Sequence, residues 1–148
     1  MRLLIQRVSQ ASVQVEGRTV GNINRGLLVL AGFKKDDRLE DIKKLAEKCL
    51  NLRIFEDDEE KMNLSLLDLS GELLVISQFT LYANCRKGRR PSFDRSMPPK
   101  EAEEYYNLLL DEFRKSGLRV ESGYFGAKMA VALINDGPVT VMLDENEI

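Results

Sequence analysis

Residues 26–33 read Gly26-Leu27-Leu28-Val29-Leu30-Ala31-Gly32-Phe33, an apolar run that begins with one glycine and carries a second near its end. A continuous apolar run of this kind is typical of a strand that is buried on both faces. The run has eight residues, whereas a helix needs about 20 apolar residues to cross a membrane. It therefore predicts the central strand of a globular sheet and no association with a membrane.

The segments before this run have the period of a strand. Residues 2–8 are short and apolar, and residues 12–16 alternate apolar with polar side chains. Gly17 and Arg18 supply a turn signal, after which residues 19–23 pair back. The pattern predicts a β-hairpin ahead of the central strand.

Two later segments change to a helical period. In residues 36–52 the apolar side chains, Cys49 among them, recur on one face, which makes Cys49 a small core residue. A second helix opens at Pro98-Pro99 and ends near Gly117. Both segments are predicted to be helices with an apolar stripe along one face.

Further strands are predicted at residues 53–56, 72–82, 118–121, 128–135 and 139–143. About eight strands result, and they occur in runs rather than alternating with helices. This order predicts an α+β fold with two main helices and a mostly antiparallel, barrel-like sheet. The length of 148 residues suits a single domain over residues 1–148.

The composition excludes several kinds of site. There is no histidine, which rules out a Ser-His-Asp triad, a Cys-His pair and a histidine-bound zinc. The two cysteines, Cys49 and Cys85, cannot form a four-cysteine metal site or a disulfide framework. We therefore expect no metal and no cofactor, and reduced thiols. Any catalysis must use hydroxyls, carboxylates, amides, cationic side chains, the backbone or a group of the substrate.

Charge and the first residues bear on partners and location. The formal net charge is −2, and a DNA-coating protein would be far more basic, so no DNA partner is expected. A local basic patch would still be enough to bind RNA. Gln6 and Arg7 interrupt the apolar stretch that a signal peptide would need. We expect a cytoplasmic protein.

Three clusters of residues could carry chemistry. The first is Ser77-Gln78-Phe79-Thr80, where an apolar strand turns polar at its end. Such an end often borders a pocket, although a strand that emerges into solvent would have the same pattern. The second is Asn135-Asp136-Gly137-Pro138-Val139-Thr140, which is either a tight turn between strands or a functional motif. Its Gly-Pro bond is a candidate for the cis state, which only bonds to proline reach at low cost.

The third cluster is basic. Arg86, Lys87, Arg89, Arg90 and Arg95 lie within ten residues, with Asp94 as the only acidic residue among them. Such a cluster could hold phosphates. A flexible, solvated loop would have the same composition.

Together these segments resemble one family, the D-aminoacyl-tRNA deacylases (the D-tyrosyl-tRNA(Tyr) deacylase family). Ser77-Gln78-Phe79-Thr80-Leu81-Tyr82 and Asn135-Asp136-Gly137-Pro138-Val139-Thr140 look like its two signature motifs. Residues 1–17, residues 86–93 and the helix start at residues 98–106 are also similar to it. The resemblance extends over the whole chain.

The resemblance implies a hydrolase that cleaves the ester of D-aminoacyl-tRNA, and of glycyl-tRNA(Ala), as proofreading in translation. It implies a homodimer in which a cis Gly137-Pro138 pair enters the pocket of the other subunit. The residues that it assigns to the sites are Ser77, Gln78, Phe79 and Thr80 for catalysis, and Phe125 and Met129 for the terminal adenosine. The basic composition of the third cluster predicts Arg86, Lys87, Arg89 and Arg90 as contacts for tRNA phosphates.

A site without histidine can act through positioning and through backbone N–H groups near Phe79 and Thr80 that stabilise an oxyanion. The 2′-hydroxyl of the tRNA could assist; Thr80 as nucleophile is the rival account and needs a base that the sequence does not reveal. Rigid main chain at Gly137-Pro138 would exclude an L side chain. An alternative of another class is a non-catalytic RNA-binding module that uses the 86–95 loop.

Overall fold

The computed structural model describes residues 1–147; Ile148, the last residue of the expected domain, lies outside the described residues. The described residues form eight strands and two α-helices. In chain order the elements are β1 (Arg2–Val15), β2 (Arg18–Ile23), β3 (Gly26–Gly32), α1 (Leu39–Asn51), β4 (Phe55–Glu56), β5 (Met62–Leu64), β6 (Glu72–Ser77), a 3₁₀ turn (Phe79–Tyr82), α2 (Pro99–Arg114), β7 (Val120–Ser122), β8 (Met129–Asp144) and a second 3₁₀ turn (Glu145–Glu147). The predicted α+β class is confirmed.

Strand β1 pairs with three other strands of the sheet. Along one edge it pairs antiparallel with β8, from Arg2 opposite Asp144 to Val15 opposite Met129. Along the other edge its first half pairs with β3 and its second half with β2, and the turn from β1 into β2 is the predicted hairpin. Strand β1, near the first residue, is therefore hydrogen-bonded to β8, near the last described residue.

The sheet continues from β3 to β6 and then to β7, and these two pairings are parallel. The sheet is thus mostly, but not wholly, antiparallel. It curls so that β2 contacts both β6 and β7; a Cβ added to Gly21 would lie 3.1 Å from the Ser122 carbonyl oxygen. This curvature produces the nearly barrel-shaped sheet that the pattern of strands predicts.

Two hydrophobic clusters pack on opposite faces of β3. Leu27, Val29 and Ala31 belong to the larger cluster, beneath α1 and α2, whereas Leu28 belongs to the cluster inside the curled sheet. Burial on both faces explains the unbroken apolar run and confirms that prediction. In α1, Cys49 is fully buried, and burial raises the pKa of its thiol to about 12.

The close approach of β6 to β3 explains why residue 26 is a glycine. Gly26 lies opposite Glu72 in the parallel ladder. A Cβ at position 26 would lie 1.9 Å from the Glu72 carbonyl oxygen, well inside van der Waals contact. Only glycine fits without separating the two strands.

Several predicted boundaries are wrong. The strands predicted at residues 2–8 and 12–16 are one strand, β1, and those at residues 128–135 and 139–143 are one strand, β8. Each is continuous because β1 and β8 pair on both sides of an interruption near Val8. The strand predicted at residues 53–56 is reduced to two residues, which pair with the unpredicted β5.

The strand predicted at residues 72–82 ends at Ser77. The Gln78 N–H donates to the Ala31 carbonyl, 2.7 Å away, at the end of β3. Beyond it the Leu81 N–H turns back to the Gln78 carbonyl, which is a 3₁₀ pattern. Neither helix in residues 1–147 is long and apolar enough to span a membrane.

An ion network ties the ends of β1 and β8 to the segment before α1. The Met1 amino group donates to Asp37 and Glu145, and the Lys34 ammonium lies 2.6 Å from Asp37 and 2.5 Å from Glu145. Burial opposes the ionisation of Glu145, but hydrogen bonds from Lys34 and the Met1 amino group outweigh it and lower its pKa. Burial also opposes the ionisation of Asp144, but the hydrogen bonds from Arg2 and Asn146 together outweigh it and hold its pKa below the usual range.

We predict that this network makes the fold sensitive to acid. A carboxyl group whose pKa is lowered by folding contributes stability above its unfolded pKa and loses it as pH falls through the folded pKa. The free energy of unfolding, measured by urea titration, should therefore decrease below about pH 4–5. Asp144→Asn/Glu145→Gln should be less stable at pH 7 and lose stability less steeply in acid. Asp58→Asn, on an exposed loop, is the control, and an unchanged acid slope in the double variant would contradict the assignment.

Candidate active site

A cavity of about 680 Å³ opens where β3 and β6 end side by side. Its walls come from the ends of these strands, the segment that leads into α2, and the segment from Phe125 into β8. The lining residues include Ala31, Phe33, Ile76, Ser77, Gln78, Phe79, Phe93, Ser96, Met97, Phe125, Met129 and Val131. The wall is largely apolar, with a few polar groups at one side, as in most sites for small ligands.

Five of the residues predicted for the site line this cavity. Ser77 ends β6, Gln78 and Phe79 follow it, and Phe125 and Met129 come from the segment that leads into β8 and from its first residue. The structure thus brings together residues that are about 50 positions apart in the sequence. Thr80 is exposed and does not line the cavity.

The 3₁₀ turn after β6 leaves two backbone donors free beside the cavity. Within the described part of the chain, the N–H groups of Phe79 and Thr80 donate to no acceptor. The turn is anchored at its far end by the buried Tyr82, whose ring centre lies 4.7 Å from the Arg2 guanidinium. The Ser96 hydroxyl donates to the Phe79 carbonyl at 3.2 Å. These contacts hold the two N–H groups in place.

The hydroxyl of Thr80 has one hydrogen-bond partner among residues 1–147. The Gln78 side-chain amide donates to it at 2.5 Å. An amide N–H is a donor and cannot take a proton from the hydroxyl. The arrangement holds no base that would make Thr80 a nucleophile.

Phe125 is supported from behind by α2. The rings of Tyr106 and Phe125 have centres 5.8 Å apart, and the buried Tyr106 hydroxyl donates to the Val75 carbonyl at 2.8 Å. Burial raises the pKa of the Tyr106 phenol, so the phenol stays protonated and keeps this bond. Tyr106 therefore fixes one wall of the cavity against β6.

Gly137 and Pro138 do not line the cavity of their own chain. They lie in a bulge of β8, both exposed, and the bond between them is cis. Gly137 has a φ of 141°, which favours glycine, and a Cβ there would lie 2.8 Å from the Val139 side chain. The pair faces outward as an exposed piece of main chain.

Two side chains hold this bulge. The Arg7 guanidinium, 4% exposed as a residue, donates to the carbonyls of Asp136 at 2.7 Å and Ile54 at 2.6 Å. The Asn135 amide donates to the Val139 carbonyl and accepts from the Val139 N–H. Sequence reasoning missed Arg7. Its signal is an arginine at a position where the strand period calls for an inward apolar residue.

Arg86, Lys87, Arg89 and Arg90 lie on an exposed loop that is closed by backbone bonds between Asn84 and Ser92, and Arg95 follows the loop. Arg86 and Arg95 line a second cleft of about 350 Å³, together with Ala83, Asn84 and Cys85. Lys87, Arg89 and Arg90, also predicted to contact phosphates, are exposed but do not line this cleft. These cationic side chains are therefore exposed and can bind an anion from solution.

Comparison with known proteins relates the chain to one family. The family model described as D-Tyr-tRNA(Tyr) deacylase matches residues 4–144. A protein named D-aminoacyl-tRNA deacylase from Thermosipho africanus is 59% identical, with 100% of this chain and 99% of the relative covered. Its namesake from Aquifex aeolicus is 55% identical over the full length of both chains.

Two solved structures are similar in fold. One, titled c-Myc DNA Unwinding Element Binding Protein, is 41% identical with a TM-score of 0.91, and the match covers 97% of this chain and 98% of the other. The second is titled as a probable eukaryotic D-amino acid tRNA deacylase. It is 21% identical with a TM-score of 0.84, over 96% of this chain and 97% of the other, and shows likeness of fold alone.

Proposed function

The chain belongs to the D-Tyr-tRNA(Tyr) deacylase family, and on this premise we propose how its cavity removes D-amino acids and glycine from tRNA. The family's reaction is hydrolysis of the ester between a D-amino acid and the tRNA. The enzyme is therefore a hydrolase of translation proofreading. We propose that glycyl-tRNA(Ala) is a second substrate, since glycine has no side chain to exclude.

The observation that carries the proposal is the pair of free N–H groups of Phe79, which lines the cavity, and of Thr80, the next residue in the turn. When water attacks the ester carbonyl carbon, the carbonyl oxygen becomes an oxyanion. Two fixed backbone donors can stabilise this oxyanion. Loss of one such donor typically lowers the rate by about 10²–10³. Gln78 and Ser77 lie on the same side and supply further polar contacts to the substrate.

The proton transfers are assigned to the RNA. The attacking water loses a proton, the bond from the carbonyl carbon to the 3′-oxygen breaks, and that oxygen gains a proton. We propose that the neighbouring 2′-hydroxyl relays these protons. Its assistance would account for a site in which Thr80 has only an amide donor as its partner.

Phe125 and Met129 form the wall opposite the β6 end. We propose that the terminal adenine packs against these two side chains, with Phe125 backed by Tyr106. The adenosine would then hold the ester next to Phe79 and Thr80. Binding energy from the base would in this way position the reacting carbonyl.

A second copy of the chain is proposed to complete the site. Gly137 and Pro138 are exposed and lie outside the cavity of their own chain. Strand β8 carries them on an edge that no described strand pairs with, and Ile134 and Met142 on β8 are 53% and 41% exposed. A homodimer would cover these apolar side chains and bring each Gly-Pro pair to the cavity of the partner.

The partner's main chain would then select the substrate by shape. Carbonyl groups of a rigid Gly-Pro segment could accept the α-ammonium of a D-residue and leave no space for an L side chain. Arg7 and Asn135 support this role because they fix the segment from both sides.

Arg86, Lys87, Arg89 and Arg90 are proposed to contact tRNA phosphates, which fits their exposure. Because the substrate is made and used in the cytoplasm, we expect the enzyme there. The alternative, an RNA-binding module without activity, is disfavoured by the family, whose members are hydrolases.

We predict release of D-tyrosine from D-tyrosyl-tRNA and of glycine from glycyl-tRNA(Ala), with L-tyrosyl-tRNA hydrolysed at the background rate. The ratio of kcat/KM for the D and L forms should exceed the roughly 10–200-fold that rejection of one methylene allows. Release of labelled amino acid measures all three rates. Binding of the three tRNAs without release would overturn the proposal in favour of the RNA-binding module.

We predict that Thr80→Ala keeps kcat/KM within about tenfold of the wild type, because the hydroxyl has no base to activate it. Thr80→Ser keeps the hydroxyl and is the matched control. A loss beyond about 10³ in Thr80→Ala, with an active Thr80→Ser and unchanged folding, would identify Thr80 as the nucleophile.

We predict that two inactive variants restore activity when combined in one dimer. Gly137→Ala should distort the Gly-Pro bulge, because its Cβ would lie 2.8 Å from the Val139 side chain. Ala127→Trp should fill the cavity that Ala127 lines. In a heterodimer the open cavity of one chain would face the intact Gly-Pro of the other, giving one working site. Purified heterodimers that stay inactive would show that the motif acts within its own subunit.

A further inference from the structure

Of the described residues that line the cavity, Lys35 alone carries a charge. Its side chain is exposed, so it lies at the rim rather than on the floor. Its backbone N–H donates to the Arg95 carbonyl at 3.0 Å, and the adjacent Lys34 and Ser96 form an antiparallel bridge. The backbone that carries Lys35 is therefore fixed to the cavity wall.

Lys35 differs from its neighbour in being free. Lys34 is held by Asp37 and Glu145 in the ion network. The Lys35 ammonium makes neither an ion pair nor a side-chain hydrogen bond with any described residue. A structural role accounts for Lys34, whereas nothing within the described chain uses the charge of Lys35.

We propose that Lys35 binds the phosphodiester on the 5′ side of the terminal adenosine; this inference rests on the proposed function. The amino acid end of the substrate carries an ammonium group, which a lysine would repel. The phosphodiester is the anion nearest to the terminal ribose, and at the rim it can stay partly solvated. The cavity would thus hold the terminal nucleotide by its base, its ester and its phosphate.

The residues around Lys35 indicate the path by which the single-stranded end of the tRNA leaves the cavity. The Lys35–Arg95 backbone bond joins the cavity rim to the second cleft, which Arg86 and Arg95 line. A single strand that leaves the cavity past Lys35 therefore meets two more cations. Consecutive phosphates of a single-stranded end can follow such a row of charges.

The test compares a substrate that has this phosphate with one that lacks it. Two small substrates carry D-tyrosine as an ester on the 3′-oxygen, one on 5′-AMP and the other on adenosine. They differ only in the 5′-phosphate. With the AMP ester, Lys35→Gln should raise KM about three- to tenfold and leave kcat within about twofold, the size of a charged contact at a partly exposed site. With the adenosine ester, Lys35→Gln and the wild type should have the same KM. Lys35→Arg should restore the preference for the AMP ester.

Lys43→Gln is the matched control. It removes the same charge from the exposed face of α1, where Lys43 does not line the cavity, and it should behave as the wild type. An equal effect of Lys35→Gln on both esters, or a loss in kcat alone, would overturn the proposal and point to the ester carbonyl as the group that Lys35 contacts. If Lys35→Gln changes KM for neither ester, Lys35 is a solvated lysine that does not contact the substrate, and the proposal is overturned. A wild type that hydrolyses neither ester nor D-tyrosyl-tRNA would instead refute the proposed function itself.

Discussion

The pairing of β1 with β8 is the interaction on which the rest of the structure depends. The two strands are antiparallel partners along nearly their whole length, and their register breaks only on either side of Val8. From Gln6 to Val8 on β1, the partner on β8 moves from Thr140 to Asn135, so the intervening residues leave the ladder as a bulge. The ladder on both sides holds the Gly137-Pro138 segment rigid and outward.

The cavity also depends on main-chain groups that are held in fixed positions. A chain without histidine has no side chain of neutral pKa for acid–base work. The cavity instead offers backbone donors, largely apolar walls and a few polar side chains such as Ser77 and Gln78. Main-chain atoms act well only when they are fixed, because a displacement of about 1 Å can cost about 10²-fold in rate. Buried polar groups provide the fixing: Arg7 bonds two carbonyls, and Tyr106 bonds a third. In our account the protein supplies shape and hydrogen-bond donors, and the RNA supplies the reactive hydroxyl.

Much of this arrangement could be predicted from local pattern. The run at residues 26–33 predicted a strand buried on both faces, and the polar end of the next long strand predicted the cavity edge at Ser77–Phe79. The turn after Ser77 could not be predicted, because Phe79, Thr80 and Tyr82 favour strands. The chain turns there because the Leu81 N–H bonds back to the Gln78 carbonyl instead of continuing along β3. Arg7 and Lys35 were missed for a related reason: their roles depend on Asp136 and on Arg95, residues far away in the sequence. The parallel pairing of β3 with β6 likewise depends on a long connection that local patterns do not describe.

The division of labour between protein and RNA is tested most directly by removing the hydroxyl that the RNA is proposed to supply. D-tyrosine is attached to the 3′-oxygen of a tRNA that ends in 2′-deoxyadenosine, and its release is followed under single-turnover conditions beside the same tRNA with ordinary adenosine. We expect the rate to fall by about 10² or more with the deoxyadenosine substrate, the usual contribution of a proton-transfer group, while the affinity for the tRNA is unchanged. Equal rates for the two substrates would contradict it and would require a proton acceptor on the protein.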